Sequence, residues 1–271
     1  MDSEKDKPAI NDLPVSRKSQ FWFLLRQRWK SLLVMGGVVL LFAIPLLASL
    51  LVKDLKAISI VSASTEGEEV TALFLNDLFY GIFVVPSSAI LFLGLAGIYR
   101  IIRNYIWGEG VLFGADFFLG IKQNWKLFLV DGLLFSLLYY GVYLATVYIS
   151  VPFLKYLPLA IAAVLLYPIL LIHLNLSVIY KNGYFKQLMN ASVIYFRKAY
   201  VYLGFFLALA LVPVILLLVP LPLLVKYIII FAFIYLFIPF YILAFSLYSM
   251  HVFDALINKE NHKELYKKGL F

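Results

Sequence analysis

No cysteine occurs in the 271 residues, which excludes disulfides, thiolate-bound metals and cysteine nucleophiles. Histidine is scarce, with three in all, so a metal site would have to be built mostly from carboxylates. The chain has no HExxH helix, no glycine-rich phosphate loop and no G-x-S-x-G turn. Those are the spacings that place zinc ligands, cradle phosphates or expose a serine nucleophile. A non-enzymatic protein with no cofactor and no metal is expected. Charge is scarce too: 14% of residues are charged, against about a quarter in soluble domains.

Apolar residues fill the space that charge leaves, at 63% of the chain. They gather into six runs, 31–52, 78–99, 127–149, 153–174, 199–219 and 223–248. A hydrocarbon core about 30 Å thick needs about 20 helical residues to cross it, and each run meets that length. Runs so long and so continuously apolar read as helices and not as barrel strands. The fold class expected is an all-α integral membrane protein, with six transmembrane helices in three hairpins. Residues 1–19 are polar, hold Pro8 and Pro14 and carry no period, so they are expected to be disordered. A membrane domain over 20–257 and a tail over 258–271 complete the division.

The excess of positive charge, +8 at pH 7, is distributed as a topology signal. Seven basic residues precede the first run, and the second–third connection, the fourth–fifth connection and the tail carry four each. The opposite side holds Lys53, Lys56, Lys155 and Lys226. By the positive-inside rule, both termini and both long connections are cytoplasmic, and the location expected is a cell membrane. The partner this implies is a lipid bilayer, with no nucleic acid. The other side offers one sizeable loop, 53–77, with Glu66, Glu68 and Glu69.

The polar and aromatic stretch 108–132 lies between two of the runs. Gly108, Glu109 and Gly110 read as a turn. Asp116 is placed to cap a helix in which Phe117, Ile121, Trp125 and Phe128 form one stripe, with Lys122, Gln123, Asn124 and Lys126 on the other side. Such a helix suits a membrane surface. The pattern recurs 96 residues earlier. Phe21, Gln27, Trp29, Lys30, Leu33, Val34 and Gly36 match Phe117, Gln123, Trp125, Lys126, Leu129, Val130 and Gly132. A third copy, a further 72 residues on, keeps Lys198 and Gly204. Each unit is expected to be an amphipathic cytoplasmic interfacial helix followed by a hairpin of two spans.

Polar groups at membrane depth mark candidate sites, because they are costly there. Asp131 lies just inside the third run, positioned to snorkel or to pair with a lysine such as Lys126. His173 and Asn175 lie at the end of the fourth run, and His251 and Asp254 at the foot of the sixth. Tyr139, Tyr140 and Tyr143 lie deeper, where their hydroxyls either bond between helices or line a polar cavity. Pro45, Pro86, Pro168, Pro213 and Pro239 fall inside spans, where proline kinks helices.

The stretch RNYIWGEGVLFGADFFLGIKQNWK, the later HLNLS and KNGYFKQLMNAS, and the tail VFDALINKENHKELYKKGL resemble the YesL-like family of small bacterial multi-pass membrane proteins. The resemblance runs from about Phe21 through nearly the whole chain. Its features are Arg103, Gly108-Glu109, Asp116-Phe117-Phe118, Asn124-Trp125-Lys126 and Lys268-Gly269-Leu270. It implies an accessory role beside carbohydrate uptake, with a membrane transporter as partner. The alternative is a transporter or channel with its own path through the bundle. The residues singled out for interaction or a polar site are Arg103, Glu109, Asp116, Lys122, Asn124, Trp125, Asp131, His173 and Asn175.

Overall fold

The computed structural model describes residues 13–63 and 68–270. Six helical segments are long and apolar enough to cross a membrane, and no strand occurs among the described residues. The first three spans are the unbroken helices α1 (Arg17–Ala63), α2 (Glu68–Ile106) and α3 (Phe113–Tyr148). The fourth joins α4 (Pro152–Ile161) to α5 (Tyr167–Ile179) through a π-helical turn at Ala162–Leu166. A separate helix, α6 (Tyr184–Arg197), leads into the fifth span, α7 (Ala199–Leu218). The sixth is α8 (Leu223–Ala232), a π-turn at Phe233–Phe237 and α9 (Ile238–Phe253); a second π-turn, Asp254–Asn258, and the short α10 (Lys259–Asn261) follow.

All six apolar runs match these segments in order, four lying wholly inside and two, 127–149 and 199–219, ending one residue past their helices, and the larger differences from expectation lie at the ends. The expected 53–77 loop is helical on both sides, since α1 continues to Ala63 and α2 begins at Glu68. Lys53 and Asp77 ended the apolar runs without being helix breakers, so hydropathy marked a border the backbone ignores. Residues 64–67, with Glu66, lie outside the described residues, as do 1–12 of the segment expected to be disordered. Residues 17–19 of that segment belong to α1, where Arg17 is buried.

The surface helices of the first two repeat units do not form separate elements. Residues 21–30 and 117–126 are the leading turns of α1 and α3, because neither carries a glycine or proline pair able to stop a helix before the apolar run begins. Phe117 of the expected lipid-facing stripe is buried against α2 and the Phe42 ring, while Trp125 stays exposed. In the third unit the break is present: at Lys198 the backbone leaves the helix (φ −139°, ψ 32°), which frees α6 from α7. The helix starts follow the sequence repeat. Arg17 and Phe113 are 96 residues apart, and Tyr184 falls one short of a further 72.

At the centre stands α5, apolar on every side and buried from Tyr167 to Val178 save Ile169, as a helix enclosed by others should be. It packs against α2, α3, α6, α7 and α9. Outermost is α7, with Leu207, Leu211, Val214, Ile215 and Leu218 exposed, a surface that suits lipid and not water.

Two span prolines show how the bundle repairs its helices. Proline lacks the N–H that would bond the carbonyl four residues earlier, and Pro168 and Pro239 each follow a π-turn. The carbonyl that Pro168 leaves free, on Val164, accepts the Tyr195 hydroxyl from α6. The one that Pro239 leaves free, on Tyr235, faces Gly36 of α1 so closely that a Cβ at Gly36 would overlap it. Its repeat partner Gly132 likewise lets α3 approach Phe92 and Ala89 of α2.

Candidate functional site

Polar side chains gather at two ends of the bundle. At the end where both termini meet, α1 opens with Arg17 and Gln20 one turn apart on its inner face. Arg17 Nη2 donates to Asp254 Oδ2 at 2.8 Å, and Nη1 donates to Gln20 Oε1 at 2.9 Å and to the Lys268 carbonyl at 3.0 Å. Gln20 Nε2 donates to the carbonyls of Ile106 and Gly269, at 2.7 and 2.9 Å. Asp254 Oδ1 accepts from Asn258 Nδ2 and from the Lys267 amide. Gly269 has φ +83°, and a Cβ there would run into the Ile106 carbonyl, so glycine at this position has a steric basis. The tail is thereby folded back onto the end of α2.

The turn after α2 lies beside this tail. Gly108 takes φ +70°, as two glycines around Glu109 suggested. Glu109 accepts from Lys268 Nζ at 2.7 Å, and that ammonium sits 4.1 Å above the Trp107 ring. Arg103 also stacks on that indole, 4.5 Å from its centroid, donates to Asn104 Oδ1, and donates to the Val178 carbonyl at the end of α5 at 2.9 Å. Asp116 does not cap its helix as expected. Leu112 is the N-cap, and Asp116, one turn in, accepts the Leu112 amide at 2.9 Å and Asn104 Nδ2 at 3.2 Å, with Arg100 at 3.7 Å.

Deeper from the same end lies a second group. Asp131 on α3 and His173 on α5 are wholly buried, with His173 Nδ1 2.7 Å from Asp131 Oδ2. The expected partner Lys126 is not involved: Asp131 points into the bundle, where Oδ1 accepts the Tyr184 hydroxyl of α6 at 2.8 Å. Burial, with the Asp131 carboxylate next, pushes the Tyr184 phenol above its usual pKa, which keeps it a donor. His173 Nε2 has no partner among the described residues. Ser177 Oγ, 2.8 Å from the His173 carbonyl and 3.0 Å from Gln187 Oε1, continues the chain. Gln187 Nε2 donates to the Tyr180 carbonyl, and the Tyr180 hydroxyl donates to Asn258 Oδ1. A ladder of polar groups thus leads from Asp131 to Asp254 and Arg17. Asn175 lies apart from it, accepting Ser246 Oγ at 2.8 Å from α9.

Of the residues singled out from sequence, Arg103, Glu109 and Asp116 surround the turn after α2, and Asp131 with His173 forms the buried pair. Lys122 and Trp125 stand exposed on α3, and Asn124 is turned inward, its amide bonding the Gly120 carbonyl. None of these three joins either cluster. Arg17, Gln20, Tyr184, Gln187 and Asp254 were not singled out as a set. One signal was available, since Gln20 stands 96 residues before Asp116 in the repeat register. His251, which pattern placed beside Asp254, is exposed.

At the far end, Lys53 and Asp77 are buried where a loop was expected. Lys53 Nζ lies 3.3 Å from Asp77 Oδ1, 3.6 Å from Asp54 Oδ1 and 3.1 Å from the Tyr143 hydroxyl, to which it donates. Asp77 Oδ2 accepts the hydroxyls of Tyr143 and Tyr148, at 3.0 and 2.6 Å, and its backbone carbonyl accepts Tyr140. Two of the three deep tyrosines are therefore bound between helices. Beside them a cleft of about 540 Å³ opens among α1, α2 and α3. Ser19, Trp22 and Arg26 line a second cavity near the start of α1, about 50 Å away along the helix at 1.5 Å per residue.

No protein-family model, no curated protein and no solved structure matches the chain.

Proposed function

We propose that the chain is a non-enzymatic accessory protein of a bacterial cytoplasmic membrane that engages a membrane partner through the end where its termini meet. The reading rests on one observation: the starts of α1 and α3, the turn after α2 and the tail are cross-tied into one platform through Arg17, Gln20, Asp116, Asp254 and Lys268. Residues tied in this way present a fixed surface, which lowers the ordering cost of binding. Exposed Lys122, Trp125, Lys263, Tyr266 and Lys267 lie on or next to it. Positive charge concentrated at this end supports a cytoplasmic orientation. The resemblance to YesL-like proteins supports a transporter of carbohydrate uptake as the partner.

A second reading, solute transport by the chain itself, is favoured by the cleft beside Lys53. Against it stands the filling of the bundle between the two ends by Phe92, Phe135, Tyr167 and Phe206 packed ring to ring, with Phe128 against Tyr99. The test places a photo-cross-linking residue at Lys122 or Lys267 in native membranes. A discrete adduct with a membrane protein, lost in Glu109→Lys, is expected. No adduct, together with solute flux by the purified protein in liposomes, transfers the assignment to transport.

A further inference from the structure

The cleft at the far end of α1 has the volume of a small-molecule site, about 540 Å³ within a usual span of roughly 300–1,000 Å³. Its polar groups are Lys53, Asp54, Asp77, Tyr143, Tyr148 and Ser62, whose hydroxyl donates to the Ser59 carbonyl, and the apolar side chains of Ala57, Ile58, Val61, Leu73 and Val147 make up much of the wall. Lys53 and Asp77 are buried, at 8% and 5% exposure, so charge is built into the floor and not left as loose surface groups.

The balance of that charge selects the ligand. Two carboxylates face one ammonium, which leaves the cleft one negative charge in excess at neutral pH. An ammonium has three donors; Lys53 donates to Asp77 and to the Tyr143 hydroxyl, and Asp54 lies 3.6 Å away as a further ion-pair partner. Tyr143 and Tyr148 in turn spend their protons on Asp77. An anion entering the cleft therefore meets an ammonium already engaged by Asp77 and flanked by Asp54. Acceptors are in surplus, because Asp54 is bonded by Tyr227 on Oδ2 at 3.2 Å and its side chain keeps 38% of its surface open. A bare divalent cation such as calcium needs about six to eight oxygens, more than Asp54 has free. A cation with an apolar body fits better. Its charge would face Asp54, its alkyl groups the Val147 and Ile58 wall, and the Tyr148 ring supplies a π face.

We propose that this cleft binds an alkylammonium group, with Asp54 opposite its charge. Two sources share that chemistry, a free solute such as choline and the headgroup of a choline lipid.

The test uses the full chain in nanodiscs of phosphatidylglycerol at physiological salt, with empty discs as reference, and titrates choline by calorimetry. Saturable choline binding is expected, at least about tenfold weaker for the uncharged isostere in which carbon replaces nitrogen, a step of the size that removing one charge contact produces. Asp54→Asn should weaken choline by a similar factor. Val147→Trp, which fills the cleft and leaves every charge in place, should abolish binding. Both positions are exposed enough to change without unfolding the bundle, and thermal melting verifies that they do. No saturation, equal binding of the isostere, or unchanged affinity in Asp54→Asn overturns the proposal. Repeating the titration in phosphatidylcholine discs separates the sources: competition identifies the headgroup, and unchanged affinity a free solute.

Discussion

The Asp131–His173 pair shows how a single side chain acquires a role its neighbours in sequence do not reveal. A carboxylate wholly out of water is tolerated only when its bonds are made, and here His173 and Tyr184 make them. His173→Ala would leave Asp131 with Tyr184 alone. Removing one member of a buried pair costs about 3–5 kcal/mol, so thermal melting in detergent should show a large loss. The double change Asp131→Leu with His173→Phe should be clearly milder than either single change, since no stranded charge remains. If the double variant is the worst of the three, the pair does more than join α3, α5 and α6. Depth in the membrane made Asp131 and His173 legible in the sequence. Their pairing was not legible, because 42 residues separate them and Lys126 stood nearer along the chain. Arg17 and Lys53 were missed for a related reason: a charged residue flanking an apolar run looks the same whether it is solvated or buried.

At the scale of elements, the spans were legible because each is a long apolar run, while their joints depend on contacts between helices. The prolines were visible as kink sites, but nothing local says that Tyr195 of α6 would serve the carbonyl freed by Pro168. The pairing makes a prediction. Tyr195→Phe should lose about 1 kcal/mol, the net worth of an ordinary hydrogen bond, when measured by denaturation. In a Pro168→Ala background, where the helix can bond its own carbonyl, the same change should cost much less. Equal losses in both backgrounds would show that the hydroxyl and the proline act independently. The expected surface helices illustrate the opposite error. Amphipathic pattern located residues 117–126 but not their termination, and only the third unit, at Lys198, interrupts the backbone.

For the whole molecule, the start of α1 and the tail come together at one end of the bundle, where Arg17 bonds Asp254 and the Lys268 carbonyl. Single cysteines placed at Ser62, Gly114 and Lys263 in this cysteine-free chain should react with an impermeant thiol reagent on intact cells at Ser62 alone. Labelling at Gly114 or Lys263 would invert the proposed orientation. The charge asymmetry that suggests this orientation was plain in the sequence, whereas the union of the tail with α1 and α2 was not, since it rests on bonds spanning more than two hundred residues. One consequence follows from the unbroken course of α1. Arg17 in the platform and Lys53 in the cleft ride on the same rod, 36 residues or about 54 Å apart at 1.5 Å per residue. A helix resists stretching along its axis, so α1 cannot slide at one end and stay still at the other. The two ends of the bundle are mechanically in series, and whatever shifts Lys53 lengthwise is felt at the Arg17–Asp254 ion pair beside the tail.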